Sequence, residues 1–135
     1  MSTGDRTAGA ATEPKRLLVV DDEAAICDFV RQVAEGVGFT VTTAVNHDQF
    51  KTAYAEFQPT AILLDLVMPD VDGIALLGIL AEANCQAKIM IMSGYHPELL
   101  KSGFRLGDGY RLDVKGTLRK PFGSNDLRTA LQQLA

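Results

Sequence analysis

The chain has 135 residues, of which 47% are hydrophobic and 22% charged, and its formal net charge is −4. This length suffices for one domain with one good core but hardly for two. The acidic balance and the lack of a basic cluster argue against direct nucleic-acid binding. No apolar run reaches the roughly 18 residues that a membrane span needs, and no apolar leader stands at the N-terminus. We therefore expect a cytoplasmic protein without direct membrane contact.

The N-terminal residues differ in composition from the rest of the chain. Residues 1–14 are small and polar and show no periodicity, so we predict a disordered tail there and one domain over 15–135. Cys27 and Cys85 stand apart from each other without metal-ligand spacing, which is typical of small core residues in a reducing compartment.

Short apolar runs alternate with helical patterns along the domain. Runs of leucine and β-branched residues that are too short for a helix predict buried strands, and apolar residues at helical spacing predict helices. The predicted strands are, in order, 16–20, 39–44, 61–65, 88–93 and 114–118. The predicted helices follow them, with apolar stripes over 26–37 and 50–57, then at 74–83, 97–111 and from residue 124 to the end.

Three of the helix starts carry local signals. Asn46 is the expected N-cap of the second helix, with Gln49 at the capping-box position. Pro97 suits the first turn of the fourth helix, and Ser124 is the expected cap of the last one. Alternating units of this kind predict right-handed crossovers and a parallel sheet that is covered on both faces. In such sheets the functional residues gather at the carboxyl ends of the strands.

Chemically useful side chains follow four of the five predicted strands. They are Asp21, Asp22 and Glu23 after the first strand, Asp65 after the third, Ser93 and Gly94 after the fourth, and Lys120 after the fifth. Since the carboxyl ends of parallel strands share one edge, these residues should converge in one shallow pocket. Converging carboxylates repel one another, and oxygen-only ligands favour a hard cation such as Mg²⁺.

A divalent cation beside a lysine is what phosphoryl transfer requires, because charge on the moving group must be stabilised. An aspartate can itself be the nucleophile and form an aspartyl phosphate. Taken singly, each residue has a simpler structural explanation, such as helix capping by the acids at 21–23 or an Asx-turn at Asp65. The coincidence at four strand ends favours a site.

Four motifs together resemble the response-regulator receiver domains of two-component signalling. They are VVDDE at 19–23, LLDLVMPDVDG at 63–73, SG at 93–94 and KPF at 120–122, and the resemblance covers about residues 15–135. It implies a flavodoxin-like, doubly wound five-stranded parallel sheet in the order 2-1-3-4-5 with five helices. It also implies a cis peptide before Pro121.

The resemblance further implies a regulatory phosphoacceptor rather than an enzyme. Asp65 would accept the phosphoryl group from a phosphohistidine on a sensor histidine kinase or a histidine phosphotransfer protein. The implied roles are Mg²⁺ binding by Asp21, Asp22, Asp65 and the backbone carbonyl of Val67, and phosphoryl binding by Ser93, the Gly94 amide and Lys120. The family context is compatible with a monomer or a weak dimer, and it does not identify the output partner.

Two features depart from the family pattern. Receivers often carry an aromatic switch residue three positions before the lysine, where this chain has Thr117. The segment between Ser93 and Lys120 is longer than in compact members, which predicts a longer or bent fourth helix. Val67 and Tyr95 would flank the phosphate, and we expect the apolar Val67 and the bulky Tyr95 to slow its hydrolysis.

Three other classes of protein share parts of this sequence pattern. A phosphohydrolase of the haloacid-dehalogenase type needs a second acid two residues after the nucleophile, where this chain has Val67. A dinucleotide-binding domain needs a glycine-rich loop after the first strand, where this chain has DDEAA. A degenerate receiver that is never phosphorylated would act as a protein-interaction module. The sequence also leaves open whether the chain is a whole protein or the receiver of a longer regulator.

Overall fold

The computed structural model describes residues 14–69, 71–94 and 97–135. The predicted tail therefore lies, apart from Pro14, outside the described residues, and so does Tyr95. The strands of the main sheet are β1 (Arg16–Val20), β2 (Thr40–Ala44), β3 (Ala61–Asp65), β4 (Lys88–Ser93) and β5 (Asp113–Arg119). The helices are α1 (Ala24–Gly36), α2 (His47–Phe57), α3 (Gly73–Glu82), α4 (Pro97–Gly109) and α5 (Ser124–Leu134).

The five strands form one parallel sheet in the order β2-β1-β3-β4-β5. This is the predicted order 2-1-3-4-5, and the predicted fold class is confirmed. After β3, the two-residue strands Val67–Met68 and Val71–Asp72 form a small antiparallel ladder that leads into α3. The peptide bond between Lys120 and Pro121 is cis, as the resemblance implies.

Alternate residues of the central strands enter two separate cores. Leu18, Ile62 and Leu64 pack on the face that α2, α3 and α4 cover. Leu17 and Leu63 pack on the other face, against α1 and α5. Because side chains of a strand alternate between faces, a strand buried on both sides is apolar throughout. The continuous apolar runs of the sequence have this origin.

The helix starts agree with the sequence in part. Asn46 caps α2 by accepting a hydrogen bond from the Gln49 backbone N–H at 2.9 Å. The prediction that Ser124 caps α5 is wrong, since Gly123 is the N-cap and Ser124 is the first helical residue. Asp72, which the sequence reading passed over, caps α3 through the backbone N–H of Ile74 at 2.9 Å.

The long segment between β4 and Lys120 is divided between a helix and a strand. Helix α4 ends at Gly109, two residues earlier than predicted, and β5 is seven residues long with an irregular register opposite Ile89 and Met90. Two glycines of α4 lie against the sheet: a Cβ on Gly103 would come within 2.7 Å of Leu66, and one on Gly107 within 2.5 Å of Val114. The glycines therefore let α4 pack closely.

Cys27 and Cys85 are both buried and free, in agreement with the prediction that they are core residues. Burial raises the pKa of the Cys27 thiol to about 11, and the nearby Asp21 and Asp28 carboxylates add to the shift. Among the described residues, no helix combines the length and the apolar character that crossing a membrane requires.

Candidate functional site

Backbone hydrogen bonds align the carboxyl ends of the strands. The N–H of Asp21 donates to the carbonyl of Ala44, and the N–H of Leu66 donates to the carbonyl of Met92, each at 3.0 Å. The N–H of Lys120 donates to the Ser93 carbonyl at 2.9 Å. Together with the parallel pairing of β1 and β3, these bonds bring the ends of β1, β3, β4 and β5 to one edge of the sheet, where the predicted site residues meet.

Three carboxylates converge at this edge. Asp21, Asp22 and Asp65 each place a carboxylate oxygen within 4.8 Å of the other two. Asp21 is 0% and Asp65 2% exposed, whereas Asp22 faces solvent. One oxygen of each buried carboxylate is fixed locally: Oδ1 of Asp21 accepts from the Glu23 N–H at 2.9 Å, and Oδ1 of Asp65 accepts from the Val67 N–H at 3.0 Å.

The ammonium of Lys120 contacts the two buried members of the acidic cluster. Its Nζ atom lies 2.7 Å from Oδ2 of Asp21 and 3.0 Å from Oδ2 of Asp65. A third carboxylate, Oε1 of Glu23, is 3.2 Å away. The contact with Asp21 is an ion pair without regular hydrogen-bond alignment, and Oδ2 of Asp21 has no other partner in the described part of the chain.

Burial sets the electrostatics of the two inner aspartates. Desolvation raises the pKa of Asp21 to about 6, although Lys120 and the Glu23 N–H act in the opposite direction. Desolvation likewise raises the pKa of Asp65 above its ordinary value, against the Val67 N–H and Lys120. Burial lowers the pKa of Lys120, but its bonds to Asp21 and Asp65 outweigh this effect and leave the pKa above its usual range. The lysine is therefore charged at neutral pH, and the cluster carries an excess of negative charge.

Ser93 and Gly94 border the same pocket. Ser93 is fully buried, and its Oγ atom has no hydrogen-bond partner among the described residues. A buried hydroxyl without a hydrogen-bond partner is costly in free energy. Gly94 lies beside Lys120, since a Cβ on it would be 3.9 Å from the lysine Cβ.

The pocket is an open cavity of about 530 Å³ with charged and apolar walls. Ile26, Val67 and Pro69 form apolar parts of its lining, together with Asp22, Asp65 and Lys120. Val67 is 43% exposed, so its side chain is at the mouth. A larger cavity of about 710 Å³ lies at the opposite end of the sheet, near Lys15, Thr60 and Lys88, away from the acidic cluster.

The residues predicted to tune or switch the site have different positions. Val67 lines the cavity, Tyr95 lies outside the described residues, and Thr117 is exposed on β5 opposite Ile91. The sequence places Glu23 among the acids that follow the first strand but indicates no role for it apart from Asp21 and Asp22. The sequence predicts that Gly73 shapes the turn behind Asp65, and in the structure a Cβ on Gly73 would collide with the backbone of Leu66. Gly73 thus permits the close return of the chain behind Asp65.

This combination of a 2-1-3-4-5 sheet with an acidic edge defines a class of signalling switch. A model of the response regulator receiver domain matches residues 17–132. The chain belongs to the response regulator receiver domain family, whose members are phosphoacceptor switches of two-component signalling.

Curated relatives and solved structures agree with this assignment. The chain is 33% identical over 129 residues to the alkaline phosphatase synthesis transcriptional regulatory protein SphR of Synechococcus elongatus, covering 87% of this chain and 48% of SphR. It is 27% identical over 119 residues to the chemotaxis protein CheY of Bacillus subtilis, covering 87% of this chain and 95% of CheY. The chain thus spans about half the length of SphR but nearly all of CheY.

Among solved structures, a response regulator from Colwellia psychrerythraea superposes with a TM-score of 0.77 at 31% identity, covering 90% of this chain and 97% of that one. The receiver domain of a response regulator from Bermanella marisrubri gives a TM-score of 0.75 at 29% identity, covering 90% and 98% of the two chains. The similarity therefore extends over the whole described fold.

Proposed function

We propose that Asp65 is the phosphoacceptor of this receiver and takes its phosphoryl group from a phosphohistidine. The observation that carries the proposal is the contact of the nearly buried Asp65 carboxylate with Lys120 at 3.0 Å, beside Asp21 and Asp22. The donor is a sensor histidine kinase or a histidine phosphotransfer protein. Such donors act in the cytoplasm, where we place the protein.

In the transfer step, a carboxylate oxygen of Asp65 attacks phosphorus and the phosphorus–nitrogen bond to the donor imidazole breaks. The imidazole keeps the electron pair and takes up a proton, and Asp65 becomes an aspartyl phosphate. Resetting requires water to attack the same phosphorus atom, which returns the Asp65 carboxylate and releases inorganic phosphate. The protein contributes mainly position and charge to these steps, as is usual in phosphoryl transfer.

The acidic cluster fits a hard divalent cation, because it offers three carboxylate oxygens within 4.8 Å of one another and carries excess negative charge. We propose Mg²⁺, held by Asp21, Asp22, Asp65 and the backbone carbonyl of Val67. When bound, Mg²⁺ supplies positive charge that stabilises the oxygens of the transferred group.

The phosphoryl oxygens are proposed to bind Lys120, the Gly94 amide and the hydroxyl of Ser93. The buried hydroxyl supports this assignment, since a phosphoryl oxygen would give Ser93 the partner that it lacks among the described residues. A phosphate that binds Ser93 more strongly in one conformation shifts the population toward that conformation. This shift is the switch that we assign to the protein, acting as a monomer or weak dimer on an output domain or partner.

Phosphorylation by acetyl phosphate in Mg²⁺ tests the proposal. Intact mass spectrometry should show one added phosphoryl group that is stable in acid and lost in base. Asp65→Asn should abolish the addition, whereas Asp48→Asn, which changes an exposed acid of α2, should not. Uptake that persists in Asp65→Asn would place the phosphoacceptor elsewhere.

The alternative of an interaction module that is never phosphorylated makes a different prediction. Such a protein takes up no phosphoryl group and does not bind beryllofluoride. For a phosphorylated receiver, we expect Val67→Asn and Tyr95→Ala each to shorten the lifetime of the aspartyl phosphate, because the resemblance to receivers implies that residues at these two positions limit the access of water to the phosphate. Unchanged lifetimes in both variants would contradict that role. Thr117 supplies no aromatic ring, so we do not assign the usual aromatic switch to this position.

A further inference from the structure

Lys120 is surrounded by carboxylates before any phosphoryl group arrives. An ammonium has three N–H groups, and three carboxylates lie within 3.2 Å of this one: Asp21 at 2.7 Å, Asp65 at 3.0 Å and Glu23 at 3.2 Å. While Asp65 is still a free carboxylate, a phosphoryl oxygen that approaches Lys120 must therefore take the place of one of these partners. The carboxylate that is displaced most easily is the one whose ion pair with Lys120 costs the least free energy to break.

The three carboxylates differ sharply in their access to water. The side chains of Asp21 and Asp65 are 0% and 3% exposed, whereas that of Glu23 is 60% exposed. A buried carboxylate that loses its cation is left without solvation, which is costly. An exposed carboxylate that loses the same cation is solvated at once, so its ion pair contributes little. Glu23 is the partner that leaves at the lowest cost.

Within the described residues, Lys120 is the polar partner that the structure gives to the Glu23 side chain. Glu23 is the N-cap residue of α1, yet its side chain makes no capping hydrogen bond. The Glu23 backbone makes the hydrogen bonds at the start of α1. Its N–H donates to the Asp21 carboxylate, and its carbonyl accepts from the backbone N–H groups of Ile26 and Cys27 at 3.0 and 3.2 Å. The carboxylate is instead directed at Lys120.

From these observations we infer that Glu23 is a positioning residue. It binds Lys120 in the unphosphorylated protein, and the incoming phosphoryl group displaces it from the lysine. The inference rests on the proposed phosphorylation of Asp65 and adds a second role to the segment after the acidic pair. It predicts that Glu23 competes with the incoming phosphoryl group. Removing its charge should therefore favour the phosphorylated state.

The variant Glu23→Gln removes this charge while keeping the shape of the side chain and the backbone contacts. Phosphorylation by acetyl phosphate and the affinity for beryllofluoride should each increase about two- to fivefold, the size expected for an exposed ion pair. Asp28→Asn removes one charge from the exposed face of the same helix and serves as the matched control. It should change both quantities less than Glu23→Gln does.

A second readout reports on the lysine directly. The ammonium of Lys120 can be observed by ¹⁵N–¹H spectroscopy of the unphosphorylated protein, assigned with Lys120→Arg. In Glu23→Gln its protons should exchange with water faster than in the wild type, and in Asp28→Asn they should not. An ammonium signal that is unchanged in Glu23→Gln would overturn the inference, as would increases in phosphorylation and affinity no larger than those of Asp28→Asn.

A failure of the proposed phosphorylation and a failure of the role of Glu23 would give different results. If the wild type took up no phosphoryl group, the proposed function would fail, while the ammonium signal would still decide whether Glu23 holds Lys120. If the wild type were phosphorylated and Glu23→Gln behaved like it in every measurement, the role of Glu23 alone would be refuted.

Discussion

The Nζ atom of Lys120 lies 3.0 Å from Oδ2 of Asp65, although 55 residues separate the two in the chain. The same ammonium contacts the fully buried Asp21. One cation thus compensates two buried anions, and neither carboxylate has much access to water. Removing this cation should affect the stability of the fold as well as the chemistry.

We expect Lys120→Met to destabilise the protein by about 3 kcal/mol at pH 7.5 in EDTA, because it leaves two buried carboxylates without their cation. Urea unfolding provides the measurement. Lys115→Met is the matched control, since Lys115 makes a 3.0 Å ion pair with Asp113 while 37% exposed. That surface pair should contribute less than about 1 kcal/mol. Equal urea midpoints for the two variants would contradict the expectation.

Replacing Asp21 by a neutral residue should stabilise the protein, in contrast to the replacement of Lys120, because the pKa of Asp21 is raised in the folded state. Folding raises this pKa from about 3.8 to about 6, so the folded state binds the proton more tightly than the unfolded state. Stability is therefore lost as the pH increases from about 4 to about 6, and the full cost is present above pH 6. Asp21→Asn should stabilise the protein by about 1 to 3 kcal/mol at pH 7.5 in EDTA and have little effect near pH 4.

Unfolding titrations of the wild type and Asp21→Asn between pH 4 and 8 check this prediction. The two stability curves should coincide at the acid end and diverge as the pH increases. Asp28→Asn should follow the wild type over the whole range, since Asp28 is exposed. A lower stability of Asp21→Asn at pH 7.5 would mean that the Lys120 ion pair outweighs the desolvation of Asp21.

The same excess of negative charge predicts a specific effect of metal. Mg²⁺ at ten times its dissociation constant should stabilise the wild type by about 1.4 kcal/mol, and EDTA should remove this gain. Potassium chloride at matched ionic strength should not reproduce it. Asp22→Asn should weaken the response, and an equal response in this variant would exclude Asp22 as a ligand.

Much of this site could be predicted because strand ends converge in a parallel sheet. Once five buried runs alternate with helices, the residues after them must share one edge, and this placed Asp21, Asp65, Ser93 and Lys120 together. The role of Glu23 could not be predicted in this way. Its contact with Lys120 depends on side-chain directions and on relative burial, which the sequence does not display.

Local signals were less dependable than the alternating pattern. Ser124 has the chemistry of a cap, but the chain enters α5 one residue earlier and Gly123 takes the N-cap position. The glycines of α4 predict a weak helix by propensity, since each costs about 1 kcal/mol relative to alanine. The structure gives two of them a packing role that only the distance between α4 and the sheet reveals.

Gly107 offers the clearest test of that packing role. A Cβ there would lie 2.5 Å from Cγ2 of Val114, whose branched side chain has little freedom to move away. Gly109, at the end of the same helix, has no such neighbour within 4 Å. Overpacking costs about 1 to 3 kcal/mol and exceeds the gain of about 1 kcal/mol from helix propensity. Gly107→Ala should therefore lower the unfolding midpoint, whereas Gly109→Ala should leave it equal or higher. A stabilised Gly107→Ala would show that α4 can move away from β5 at little cost.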